Sequence, residues 1–161
     1  MSRAPDITVA AIAETGGRFL IVEERINHRL VFNQPAGHVE RGESVLAAVV
    51  REVREETAWH FDPQGLLGVY LWRNLAARRA TLRFAFTGSV RNHDARQRLD
   101  HGIVRTHWLS PQELAARSGQ LRSPLVMRCI EDYLAKPAQD LAAVGGVTLE
   151  TAAAVTPTAH L

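Results

Sequence analysis

Apolar residues recur almost without a break from Asp6 to Ala13 and again from Arg18 to Glu24, where Phe19, Leu20, Ile21 and Val22 follow one another. Between the two runs, Glu14-Thr15-Gly16-Gly17 supplies the glycines that a tight reversal needs, so the pair is predicted to form a β-hairpin. Continuous apolar strands, in place of alternating ones, imply that both faces of the sheet are covered, and helices are the expected cover. From Glu43 to Trp59 the spacing changes: Val45, Ala48, Val49 and Val53 form one stripe at helical period, which predicts an amphipathic helix. Asp62-Pro63-Gln64-Gly65 reads as a break, followed by strands over Leu66–Trp72 and Thr81–Val90 and an arginine-rich loop, Arg73–Arg79, between them. A short strand over Val104–Leu109 runs into Ser110-Pro111-Gln112-Glu113, where a serine N-cap, a proline at N1 and a glutamate at N3 announce a helix. Ser123-Pro124 repeats the start signal for a helix to about Leu134.

The order strands, helix, strands, helices, with no fixed-period repeat, predicts an α/β fold. With 46% hydrophobic residues in 161, the chain is large enough to bury a core of its own as one domain, placed at residues 1–138. Residues 139–161, rich in Ala and Thr, are expected to be a loosely held tail. Cys129 is the single cysteine and has no zinc-type spacing around it, so neither a disulfide nor an oxidising compartment is indicated. The polar start Met1-Ser2-Arg3-Ala4-Pro5-Asp6 and the lack of an 18-residue apolar run argue against secretion and membrane partners, and a cytoplasmic location is expected. A net charge of +2 with scattered arginines fits a small anionic ligand better than a nucleic-acid polymer. Oligomeric state is left open by the sequence.

The chemistry concentrates in Gly37-His38-Val39-Glu40-Arg41-Gly42-Glu43 and, seven residues on, Arg51-Glu52-Val53-Arg54-Glu55-Glu56-Thr57. On a helix Glu52, Glu55 and Glu56 project from one face, beside the apolar stripe, so three carboxylates are expected to converge. The Glu52/Glu56 pair alone disfavours an isolated helix by roughly 0.2–0.5 kcal/mol, and a hard divalent cation is the natural compensation. Mg²⁺, with Mn²⁺ as the substitute, is the expected cofactor, because it takes oxygen ligands from carboxylates, water and phosphate. Arg51 lies four residues before Glu55 and eight after Glu43, within reach of both, and is expected to orient them. Gly37 and Gly42 permit a tight loop whose exposed carbonyls can supplement the ligands. A match at Gly37, Glu43, Arg51, Glu52, Glu55 and Glu56 arises by chance with a probability on the order of 10⁻⁵ in such a chain.

Gly37 to Trp59 resembles the signature box of the Nudix hydrolase family: Gly, five residues, Glu, seven residues, then Arg-Glu-apolar-any-Glu-Glu. The resemblance implies a Nudix-type α/β/α sandwich with a mixed β-sheet and a catalytic loop-helix-loop. It implies that Glu52, Glu55 and Glu56 bind the catalytic metal, with the Gly37 carbonyl a further ligand. Ala58 departs from the family pattern, which has glycine there, so an ordinary residue is expected at positive φ where the helix ends. Phe32 to His38, Leu82-Arg83-Phe84 and Leu121 to Val126 extend the likeness to one phosphatase branch of the family. That branch is associated with removing phosphate from nucleoside di- and triphosphates and from hydroxymethylpyrimidine diphosphate, a thiamine precursor.

Glu55 and Glu56 inside the box, and Asp100 outside it, are candidates for the general base. Arg25, Arg78, Arg79 and Arg83 are candidates for substrate phosphate, and Trp72 or Phe32 for stacking on a ring. Two other readings compete: a Nudix pyrophosphatase for a sugar-nucleotide or dinucleotide, and a non-catalytic Nudix-like sensor, which the intact glutamates oppose.

Overall fold

The computed structural model describes residues 4–145. β1 (Asp6–Thr15) and β2 (Arg18–Ile26) meet at Gly16-Gly17, both glycines at positive φ, 59° and 76°, as a type I′ hairpin turn requires. The predicted hairpin forms, but only its closed end is paired, with Glu14 opposite Phe19 and Thr15 opposite Arg18. Beyond that the strands part company. β1 continues between β4 (Ala36–His38), antiparallel, and β6 (Arg79–Arg91), parallel, and β5 (His60–Asn74) forms the outer edge against β6. β2 continues between β3 (Arg29–Asn33) and β7 (Ile103–Leu109), both antiparallel. The result is a mixed sheet with two limbs joined at the glycine turn.

The continuous apolar character of β1 is explained by what covers it. Val9, Ala11 and Ala13 pack with Ala48, Val49 and Val53 of α1 (Val45–Thr57) on one face. Ile12, with Phe19 and Ile21 of β2, packs on the other against Leu114 of α2 (Pro111–Ala115) and Cys129 and Ile130 of α3 (Leu125–Ala135). Alternate side chains of one strand therefore enter two separate cores, giving the expected α/β/α layering. Phe61 and Phe86 are fully buried in the first core and Phe19 in the second, each stabilising its layer by about 1.5–3 kcal/mol relative to an exposed ring.

Of the two predicted helix-start signals, the one at Ser110 is realised and the one at Ser123 is not, while a cap at Ser44 adds a third. Ser44 caps α1 by accepting from Ala47 N at 3.1 Å. Ser110 and Glu113 form a full capping box on α2, at 3.2 and 2.7 Å. Ser123 does not cap α3: Pro124 takes the N-cap position, Val126 N bonds the Ser123 carbonyl, and the Ser123 hydroxyl is buried without a partner. The predicted break at Asp62–Gly65 lies inside β5, because a register shift between Pro63 and Gly65 absorbs the proline on an edge strand that needs no proline N–H. β3 and β4 were not anticipated as strands.

The expected tail differs within the described residues. Gln139 and Leu66 exchange two backbone hydrogen bonds of 2.8 Å, and a 3₁₀ turn, Leu141–Val144, lays Leu141 and Val144 on the first core. Gly65 permits this: a Cβ there would stand 2.7 Å from the Ala138 Cβ. The remainder of the predicted tail, 146–161, lies outside the described residues.

Ala58 adopts φ 61°, ψ 10° and donates its N–H to the Arg54 carbonyl at 3.0 Å, ending α1 in the left-handed conformation with its methyl buried. Strain at positive φ and burial of the methyl oppose each other here. Ala58→Gly should therefore stay within about 1 kcal/mol of the parent, whereas Ala58→Val, β-branched and misfitted to this backbone, should cost about 2 kcal/mol or more. Urea midpoints of the two variants check the contrast.

Candidate active site

The turn Glu40–Glu43, with Gly42 at φ 82°, delivers the chain to α1. Glu43 Oε1 accepts from Glu40 N at 2.7 Å and closes that turn. Arg51, one face of α1, reaches back to it with a two-pronged contact: Nη2 to Glu43 Oε1 at 2.6 Å and Nε to Oε2 at 3.1 Å. The same guanidinium donates to the His38 carbonyl at 3.0 Å, to Glu52 Oε1 at 2.9 Å and to Glu55 Oε2 at 3.0 Å. Arg51 thus ties the loop to the carboxylate face of the helix. Its hydrogen bonds hold the Glu43 carboxyl below the ordinary range, and Glu43 in turn raises Arg51 further above its own.

Glu52 and Glu56 are buried on the sheet-facing side of α1, next to Val49 and Val53. The Glu52 carboxylate lies against Gly37 of β4, where a Cβ would fall 2.1 Å from Oε1. Glu56 Oε2 accepts from Ala36 N at 2.9 Å. Burial first, and then the charges of Glu24, Glu52 and Asp100, push the Glu56 carboxyl up to about 9 against the pull of that N–H. Glu52 is raised by burial, with Glu55 and Asp100 adding to the rise and Arg51 opposing it.

Among the described residues no three His, Cys, Asp or Glu side chains meet as a ligand cage. Like charges separate: Glu52 and Glu55 lean on Arg51, Glu55 with 46% of its side chain exposed, while Glu56 turns to the β4 backbone.

Of the remaining candidates, Asp100 is brought beside this cluster, its N–H bonded to the Glu55 carbonyl at 2.9 Å. Arg83 and Arg79 line a cleft of about 530 Å³ that also takes in Ala36, Gly37 and His38. Trp72 lines the same cleft; Phe32 is instead buried in the second core, with Arg117 over its ring. Arg25 is exposed on β2 and is not among the residues lining that cleft, and Arg78 is in the exposed β5–β6 turn. The structure adds residues that the sequence reading passed over: Glu24, Asn33, Thr8 and Ser123 all line the cleft. For Glu24 a signal existed, two adjacent glutamates ending an apolar strand, of which period-two alternation sends one to each face.

This sandwich and its carboxylate-bearing helix are those of a Nudix hydrolase, an enzyme of phosphorus anhydrides, and the chain belongs to that family: the NUDIX domain model matches residues 3–129. Within it, the chain is similar to phosphatases called NudJ. It is 38% identical to Phosphatase NudJ of Escherichia coli (strain K12) over 130 residues, 80% of this chain and 83% of the relative. The Shigella boydii serotype 4 Phosphatase NudJ is 37% identical with the same coverage. A solved NUDIX hydrolase from Nitrosomonas europaea is 44% identical and superposes with a TM-score of 0.85, over 87% of this chain and 95% of the other.

Nudix hydrolases generally act with divalent cations, and the residues present fit one. The donors are all oxygen, and the close approach of Glu52 to β4 exists only because residue 37 has no side chain. Gly37→Ala should therefore fold with a near-parental melting temperature yet lower kcat by on the order of 10²-fold, since displacing a reacting group by about 1 Å has that effect. Thermal melting and steady-state kinetics on the same preparation check both halves.

Proposed function

We propose that the chain releases orthophosphate from nucleoside di- and triphosphates or from hydroxymethylpyrimidine diphosphate, with Mg²⁺ as cofactor and Mn²⁺ able to replace it. The observation that carries this reading is the burial of Glu52 and Glu56 against Gly37 and Ala36 of β4, two residues that line a nucleotide-sized cleft of about 530 Å³, in a chain 37–38% identical to phosphatases over four-fifths of its length.

Glu52, Glu55, Glu56 and the Gly37 carbonyl are the groups that would hold the cation. When bound it neutralises phosphate charge and lowers the pKa of an attacking water. Arg51 keeps Glu52 and Glu55 in fixed rotamers and spares the helix their mutual repulsion. The Ala36 N–H orients Glu56. Proton removal from water falls to a carboxylate that reaches solvent; Glu55 and Asp100 meet that condition, while Glu56 does not. At the cleft mouth, Arg79 is placed to meet substrate phosphate.

Purified protein with Mg²⁺ is expected to release orthophosphate from nucleoside diphosphates, and Glu56→Gln should lower that rate by at least about 10²-fold and weaken Mg²⁺ binding measured by calorimetry. Scoring orthophosphate and pyrophosphate separately, with ADP-ribose in the panel, checks the outcome. Cleavage confined to internal linkages would leave a Nudix pyrophosphatase and sink the phosphatase reading. Tight nucleotide binding without turnover would leave a sensor.

A further inference from the structure

Buried polar atoms without partners are rare in folded proteins, and each represents a cost on the order of 1–3 kcal/mol unless something outside the chain satisfies it. Among the described residues, six of the seven buried side-chain atoms of this kind gather in one place: Thr8 Oγ1, Glu24 Oε1, Asn33 Oδ1, Ser123 Oγ, and Nε and Nη1 of Arg83 belong to five residues that line the cleft beside Gly37, whereas Gln34 Oε1 lies outside it. Arg83, Asn33, Thr8 and Ser123 are each more than nine-tenths buried. They come from four separate elements, β1, β3, β6 and the start of α3, so no single local irregularity accounts for them.

The chemistry of the set is specific. The Asn33 side chain lies within hydrogen-bonding reach of Glu24, and Asn33 Oδ1 and Glu24 Oε1 both remain as acceptors without a partner. The Arg83 guanidinium, beside the Cys129 thiol and within the field of Glu24, offers two free donors. Burial lowers its pKa from the ordinary arginine value, with Glu24 and Cys129 opposing that fall. A second phosphate is a poor match for this floor, because it would meet the Glu24 carboxyl together with Arg83. Arg79 and Arg122 are exposed at the mouth and better placed for anions. What fits is an uncharged ring edge that presents an acceptor next to N–H donors, with Trp72 available as an apolar wall.

We propose that Arg83, Asn33 and Glu24 form a recognition floor for the nitrogen heterocycle of the substrate, Arg83 donating to a ring acceptor and the Asn33 and Glu24 oxygens accepting from adjacent N–H groups. This rests on reading the cleft as the substrate site, and it makes these three the residues that set specificity for a base-bearing diphosphate over a base-free one. A site built to hydrogen-bond its ligand rejects analogues that leave its buried groups unpaired.

The test has two arms on the full chain. In the first, metal-free protein is titrated calorimetrically with AMP, CMP, GMP and UMP, and with ribose 5-phosphate as the base-free probe. At least one nucleotide should bind about 10- to 100-fold more tightly than ribose 5-phosphate, and Arg83→Gln and Asn33→Ala should each erase most of that difference. In the second, the ratio of kcat/KM for the preferred nucleoside diphosphate to that for ribose 5-diphosphate should fall in both variants by a similar factor. A variant that merely loosens the fold lowers both substrates together and leaves the ratio intact, which would overturn the proposal. Equal binding of ribose 5-phosphate and every nucleotide would overturn it too. Base-selective binding that both variants abolish, without any phosphoanhydride turnover, would uphold the floor and sink the phosphatase reading alone.

Discussion

Carboxylates of Glu43, Glu52 and Glu55 and the carbonyl of His38 all meet one guanidinium, that of Arg51. Each of those partners is useful only because of the others. Glu43 closes the loop that β4 leads into, Glu52 sits under Gly37, and Glu55 stays near solvent; the planar donor set of arginine lets one residue define all three directions. A lysine, with its three donors on a flexible stem, has no fork with which to hold Glu43 at two oxygens while also reaching the helix.

The second constraint is the sheet's division of labour. β1 buries one face under α1 and the other beneath α3, so the carboxylates on α1 and the unpartnered groups near α3 are joined through a strand that belongs to both layers. Gly37 and Ala36 sit on β4, paired directly with Val9 and Ala10 of that strand. The position of β4 relative to α1 is therefore set by packing in the core and not by the loop itself, which lets Glu52 and Glu56 be buried without a flexible loop having to follow them.

Much of this was legible from the chain. The box residues, the helix they ride on, the hairpin glycines, the Ser110 cap and the unusual Ala58 are local patterns, and each is determined by spacing within a few residues. The cleft was not legible to the same degree, because its groups are assembled by pairings distant in sequence. Glu23 and Glu24 are neighbours in the chain, yet Glu23 faces His107 at 2.6 Å and Arg105 at 3.3 Å while Glu24 enters the cleft. Arg83 could be marked as a cation near phosphate, but its placement in the interior beside Cys129 of α3 is something no strand pattern reveals. Ser123 resembled a helix cap, and the backbone of Pro124 took that place. The proline-bearing segment of β5 misled for a related reason: an edge strand has one side without a partner, so a residue that lacks an N–H is no barrier to it.

The parallel pairing of β1 with β6 carries a kinetic consequence. Parallel neighbours need a crossover, and here the whole of β2, β3, β4, α1 and β5 lies between them in sequence. Local pieces such as the glycine hairpin and α1 close early, since their loops are short, whereas the β1–β6 ladder must wait for a long loop to be ordered. Thr8 and Arg83 stand opposite each other in that ladder. The cleft floor therefore comes into being with a long-range contact of the fold, and a partly folded chain that already carries the glutamate helix has no pocket in which to place a ligand beside it.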